Sequence, residues 1–313
     1  MRLLLLGCSG FVGRELVLQL LEAGHQLTLV SRKPAFGFDQ ARQTGQLGWL
    51  QINPAEQESW LDGPLLSALE EVEGVVNLAG EPIAEQRWTP EHCQKLASSR
   101  LHTTRALVQA MGQLKVPPRV LVNASAVGYY GTSSDKHFTE KSSCGDDFLA
   151  HLCEQWEAAA AAKPAATRLV VVRIGIVLGP DGGALGKMLP VFRLGFGGPV
   201  GSGRQWMSWI HRTDLCQLIS KALEDRSWSG VVNGVAPEPV SMASFALALG
   251  NALGRPSLLP VPGPILKLLL GDGARVVLEG QHVASERLPK LGFSFQYPDL
   301  PQALSAATTP IPH

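Results

Sequence analysis

The stretch RLLLLGCSGFVGRELVLQLLEAGHQLTLVSRKP, residues 2–34, decides the fold. An unbroken apolar run leads straight into Gly7, Gly10 and Gly13. A segment follows in which Val12, Leu16, Leu20 and Leu21 recur on one helical face. Gly24 supplies the helix stop, and QLTLVS begins a second apolar run. This is a βαβ unit. Strands that are apolar along their whole length, rather than at alternate positions, belong to a parallel sheet covered by helices on both faces. The glycine turn carries a second reading. A backbone without Cβ atoms lets a pyrophosphate approach, and the helix N-terminus offers free N–H groups and a positive dipole end. Glycines also serve plain tight turns, so the triplet alone is weak. Its place between a first strand and an amphipathic helix makes a dinucleotide site the expectation.

The end of the second strand reads the cofactor. An acidic residue there would accept hydrogen bonds from the adenosine ribose and repel a 2′-phosphate, but the strand ends in Ser31, Arg32 and Lys33. A hydroxyl and two cations suit a phosphate dianion, so NADP(H) is expected over NAD(H). The competing reading is a solvated basic turn.

Working outward, GWLQI, GVVNLAG, RVLVNAS and LVVVRIGIVL read as further strands, separated by helical patterns. After about residue 180 the texture changes to the Gly- and Pro-rich loops GPDGGALGKM and RLGFGGPVGSGRQ. Helices at TDLCQLISKALED and SMASFALALGNALG and a strand at GVVNGVA follow. The expected architecture is α/β: a doubly wound Rossmann domain over residues 1–180, and a smaller mixed substrate and lid region over 181–313. Some late segments should return to the Rossmann sheet.

The chain has 313 residues, 45% of them hydrophobic, which is ample for a core. Lys+Arg and Asp+Glu number 27 each, so no global field draws the protein to nucleic acid or an anionic membrane, although a local basic patch stays open. Neither partner is expected; an unidentified small-molecule substrate and a homodimer are. Five cysteines without a C-x-x-C pair suggest no disulfide framework and no metal site, and a reducing, cytoplasmic location. The opening MRLLLLGC is too short for a signal h-region of about 7–15 residues, and PILKLLLGDGARVVL is interrupted by Lys267, Asp272 and Arg275.

The glycine triplet, NLAG at 77–80, LVNASAVGYYG and RIGIVLG at 173–179 together resemble the extended short-chain dehydrogenase/reductase superfamily. NLAGEPIAEQRW, SSRLHTTRAL, WEAAA, GGPVGSGRQWMSWIHRTDL, GVVNGVAPEPV and LEGQHV with LGFSF narrow the resemblance, which then spans nearly the whole chain. It is to atypical NAD-dependent epimerase/dehydratase proteins labelled SulA-like or cell-division-inhibitor-related. The resemblance implies an NADP(H) pocket in which Ser9, Phe11 and Val12 accompany the glycines and Leu78, Ala79 and Gly80 line the adenosine side. Asn53 stands where relatives contact the adenine amine. Arg100 stands where they carry an asparagine, and its guanidinium could reach cofactor oxygens or form an ion pair instead. Asn123, Ala124, Arg173 and Gly175 complete the pocket. A division role does not follow from a label.

What the resemblance implies for chemistry is a Tyr-x-x-x-Lys pair, and this chain has none. Four residues beyond Tyr129, Tyr130 and Tyr297 lie Ser133, Ser134 and Pro301. Three readings stay open. An oxidoreductase or epimerase could work on a small carbonyl or hydroxyl substrate through Ser125 with Tyr129 or Tyr130, assisted by Glu81 or His211. A regulatory protein could bind NADPH without turnover, or an interaction module could keep the pocket as a relic. His211 more simply caps the helix after it, and Trp206 and Trp209 read as core or cleft wall.

Overall fold

The computed structural model describes residues 1–34 and 37–309. Seven parallel strands form one sheet: β1 Arg2–Leu6, β2 Gln26–Ser31, β3 Leu47–Gln51, β4 Gly74–Asn77, β5 Val120–Ala126, β6 Arg168–Ile174 and β7 Gly230–Gly234. Their spatial order is β7-β6-β5-β4-β1-β2-β3. The chain winds outward from β1 through β2 to β3, then returns to the other side of β1 to lay down β4 to β7. That is the doubly wound α/β architecture the first 34 residues pointed to.

The unbroken apolar character of β1 follows from serving two layers at once. Leu3 and Leu5 enter a core with Leu16 and Leu20 of helix α1 (Phe11–Glu22) and Leu215 and Leu218 of a later helix. Leu4 and Leu6 enter the opposite core with Leu65 and Leu69, and with Leu107 and Met111 of helix α2 (Pro90–Gln113). All four strand leucines are fully buried, each worth about 1.5–3 kcal/mol relative to exposure.

Two further helices position the site. Helix α3, Phe148–Ala161, starts where the Asp147 carboxylate accepts a hydrogen bond from the Ala150 N–H, and its alanine-rich tail has high helix propensity. Helix α5, Arg212–Glu224, packs beside α1 and begins at His211. Between them lies α4, Gly183–Arg193. With α6 (Met242–Leu253) and α8 (Leu300–Thr308), α4 surrounds a third core containing Leu178, Leu185, Phe192, Trp209, Phe245 and Leu304. Helix α7, Gly263–Leu270, lies on the surface.

LVVVRIGIVL is not one strand. The chain kinks at Gly175, and Ile176–Leu178 pairs instead with Trp209–His211 in a separate parallel ribbon. A Cβ on Gly175 would lie 2.4 Å from the Ser208 carbonyl oxygen, so the crossing admits only glycine. Gly175, expected in the cofactor pocket, thereby also has a packing role.

Candidate functional site

The winding direction reverses at β1, which places a crevice beyond the carboxyl ends of β1 and β4. The three glycines open it in different ways. Gly7 has φ +74°, and a Cβ on it would stand 2.6 Å from the Ala79 backbone, so the turn packs directly on Leu78 and Ala79. A Cβ on Gly13 would stand 2.2 Å from the Cys8 Cα; glycine there lets α1 sit close on the turn. Gly10 is unobstructed, its nearest neighbour being the Gly7 carbonyl oxygen at 3.6 Å. It also begins α1 without a side-chain cap. First-turn N–H groups beside an open glycine fit a pyrophosphate.

Two residues expected at this turn face elsewhere. The Phe11 ring lies against Gly179, Gly182 and Gly183, where any Cβ would come within 2.6–3.0 Å of it, and 4.7 Å from the Arg212 guanidinium. Val12 packs into the core, and its carbonyl accepts from the Cys216 thiol. Only their backbones can serve a nucleotide.

At the adenosine end the Ser31 hydroxyl donates to Ser9 Oγ at 3.3 Å and accepts from the Lys33 N–H at 3.1 Å. The tip of β2 is thus joined to the glycine turn. Arg32, largely exposed, pairs with Glu81 at 3.5 Å. Asn53 is tied into its own turn, its amide donating to Glu56 at 2.8 Å and its oxygen accepting from the Ala55 N–H. The Arg100 guanidinium donates to the carbonyls of Leu96 and Glu81, each at 3.0 Å, and stacks over Trp156, so it braces the chain. Gly80 makes room for it, since a Cβ there would lie 2.9 Å from the guanidinium carbon.

The other half of the site is a buried polar stripe set by strand register. Asn77 pairs with Asn123, and Ser125 with Arg173 and Arg173 with Asn233, so these side chains share one sheet face. Asn77 donates to Asn123 Oδ1 at 2.8 Å and to Thr104 Oγ1 at 2.9 Å; Trp156 Nε1 donates to the same hydroxyl. Glu157, on α3, is the residue sequence reasoning missed. It accepts from the Ser125 hydroxyl at 2.6 Å and from Arg173 in a bidentate pair at 2.8 and 2.7 Å. Arg173 also donates to the Tyr130 hydroxyl at 3.0 Å, which donates to Asn233 at 2.7 Å. Burial alone would lower the Arg173 pKa, but the hydrogen bonds and charge of Glu157 raise it, so it is a permanent cation.

The two tyrosines separate. Tyr130 is 3% exposed, its hydroxyl occupied inside the network, which removes it from substrate reach. Tyr129 is only partly buried and lies with its ring face 3.3 Å from the Arg173 guanidinium. Burial raises the Tyr129 pKa above the usual phenol value, Arg173 opposes this and Glu157 adds to it. At neutral pH it is a phenol. Beside Ser125, burial pushes the Cys153 thiol up to about 11, so it is an inert neighbour. His211 caps α5, its Nδ1 accepting from the Thr213 N–H at 3.2 Å, and Trp209 is core. Cys144, His151 and Glu154 bring metal-ligating atoms within 4.8 Å of one another, but His151 and Glu154 are exposed.

Comparison with known proteins gives a consistent result. The model of the NAD dependent epimerase/dehydratase family matches residues 3–233, and that of a domain of unknown function, DUF1731, matches residues 261–307. The epimerase family protein SDR39U1 homolog, chloroplastic, of Arabidopsis thaliana is 43% identical over 96% of this chain and 84% of its own length. The Homo sapiens epimerase family protein SDR39U1 is 40% identical, over 97% and 98%. The crystal structure of human SDR39U1 (isoform2) with NADPH superposes with a TM-score of 0.88 at 38% identity, covering 98% of this chain and 99% of that one. UDP-glucuronic acid 4-epimerase from Bacillus cereus, in complex with NAD, shares the fold at a TM-score of 0.76 and 16% identity, over 98% of this chain and 97% of that one.

Proposed function

The chain belongs to the NAD dependent epimerase/dehydratase family, and on that footing we propose that it is an NADP(H)-dependent oxidoreductase or epimerase acting on a small carbonyl or hydroxyl substrate. The observation that carries the cofactor reading is the junction of Ser31 with Ser9, which sets a hydroxyl, Arg32 and Lys33 beside the glycine turn. The NADPH in the human relative's structure supports it. Five free thiols suit the cytoplasm, and no helix among the described residues is long and apolar enough to cross a membrane. Arg32→Ala removes a charge-assisted contact of about 1.5–3 kcal/mol, so NADPH binding should weaken roughly ten- to a hundredfold with NADH binding unchanged. Equal losses for both cofactors in a fluorescence titration would sink the assignment.

NADPH, when bound, supplies a hydride to a carbonyl carbon. Tyr129 holds the proton that the developing alkoxide takes, and Arg173 fixes its ring from below. A neutral phenol donates well and accepts a proton poorly, so reduction is the favoured direction. Ser125 is a positioning residue here, since its own proton is directed to Glu157. Tyr129→Phe should slow NADPH consumption about 10²–10⁴-fold on whichever carbonyl a panel identifies, with NADPH affinity retained. Undiminished turnover would remove Tyr129 from the mechanism. That same Ser125–Glu157 bond favours a second reading, a non-catalytic NADPH-binding regulator, for which a role in cell or plastid division is one alternative. Tight NADPH binding with no consumption across the panel would select it.

A further inference from the structure

The chain is neutral as a whole, but its charge and apolar surface are not evenly spread. No acidic residue occurs from 182 to 213 or from 239 to 271. The fold brings parts of these two segments together: the Leu259 N–H donates to the Gly197 carbonyl, Val261 N–H to Pro199, and Gly201 N–H back to Val261. Helix α7 follows two residues later.

Helix α7, GPILKLLL, is the anomaly. It carries no buried residue, although a surface helix normally buries its apolar stripe. Leu268 is 74% exposed and Leu269 stands out beside it. The neighbouring strip adds Leu258, which is 81% exposed, with Leu259, Leu194 and Phe196. Single exposed leucines are ordinary, but this many on two hydrogen-bonded strips and the helix that follows them mark a docking face. The two acid-free segments add only cations to it, Arg193, Arg255 and Lys267, all exposed, while Asp272 follows the end of the helix.

We propose that this face docks the protein on an anionic phospholipid bilayer, with α7 lying in the interface. Leucine and phenylalanine side chains enter the acyl boundary while the three cations meet lipid phosphates, the pattern of interfacial helices. A second copy of the chain is a poorer occupant, because segments 182–213 and 239–271 hold no carboxylate with which a two-fold contact could answer their own cations. A net charge of zero says nothing about a local face. The Leu270 carbonyl accepts from the Trp88 N–H at 3.2 Å, so the docking helix is tied to the loop that follows Gly80.

The test is co-sedimentation of the full chain with phosphatidylcholine vesicles, with and without phosphatidylglycerol. Binding should require phosphatidylglycerol and weaken with salt. It should fall roughly a hundredfold in the Arg193→Ser, Arg255→Ser, Lys267→Ser variant, at about fivefold per cation. Leu268→Asp with Leu269→Asp should abolish it. These positions are exposed and away from the nucleotide residues, so retained NADPH binding confirms an intact fold. Sedimentation indifferent to lipid charge, or unaffected by both variants, overturns the proposal. So does a lipid-free dimer that Leu268→Asp with Leu269→Asp dissociates, which would assign the face to a second copy.

Discussion

Removing the Glu157 carboxylate should be among the most damaging changes to this protein that touches no ligand. The carboxylate is 12% exposed and its partner Arg173 5%. Glu157→Ala takes away both Arg173 bonds and the acceptor of the Ser125 hydroxyl, and leaves a buried guanidinium whose remaining hydrogen-bond partner is a phenol. Stranding a buried charge in this way costs about 3–5 kcal/mol. Unfolding entropy near the midpoint is roughly 2.1 cal/mol/K per residue, or about 0.66 kcal/mol/K over 313 residues, so the midpoint should drop about 5–8 °C. Replacing both partners, Glu157→Leu with Arg173→Met, removes the stranded charge and should recover most of the loss. The assay is thermal and urea unfolding of the wild type, both single variants and the double. A loss below about 1 kcal/mol in Glu157→Ala, or a double variant worse than the sum of its singles, would refute the reasoning.

Gly10→Ala should fold normally, because its Cβ would meet only the Gly7 carbonyl oxygen at an ordinary 3.6 Å, yet lose NADPH affinity; Gly13→Ala should instead lower the melting temperature, its Cβ being driven into Cys8. Calorimetry and NADPH titration on the pair separate the two roles, and a Gly10→Ala protein with unchanged affinity would move the pyrophosphate elsewhere. Burial, with Arg212 beside it, lowers the His211 pKa from 6.5 to about 4. Between those values the unfolded chain takes up a proton that the folded chain does not, so stability falls as pH drops through that window and is regained above it, by up to roughly 3 kcal/mol. His211→Asn keeps a cap acceptor and should flatten that part of the stability curve; an unchanged pH slope would assign the loss to other groups.

The nucleotide half of the fold was open to sequence reasoning because it is local. The strand, glycine turn and helix occupy consecutive residues, and apolar periodicity reports burial directly. The catalytic half is not local. Glu157 sits in a helix whose sequence, WEAAA, reads as propensity and packing, and nothing in its spacing announces Ser125 or Arg173 as partners. Their meeting depends on register between β5, β6 and β7, which no single strand encodes. The bracing role of Arg100 was hidden for a related reason. Its acceptors are two backbone carbonyls, and carbonyls are invisible to residue-type reasoning. The packing role of Gly175 was hidden because the Ser208 carbonyl that excludes its Cβ lies 33 positions away in sequence.

The absent lysine bears on chemistry in a way the sequence alone suggested only in part. A cation does stand beside the tyrosines, supplied by strand β6 instead of helix α3. Proximity alone does not make a phenol acidic, and geometry decides here. Arg173 meets Tyr129 on its ring face, 3.3 Å from the centroid, where the attraction is to the π cloud. Its Nε and Nη2 donate to Glu157 and its Nη1 to the Tyr130 hydroxyl. Carboxylates then cancel part of the cation's field, Glu157 at Tyr129 and Glu140 at Tyr130. Burial therefore prevails, and both phenols are raised above their ordinary value with Arg173 only opposing the shift. A lysine ammonium could move toward a forming phenolate; a guanidinium pinned in a bidentate pair cannot. The arrangement holds Tyr129 as a proton donor and denies it the role of base, which ties the proposed direction of reaction to the one ion pair that Glu157→Ala would break.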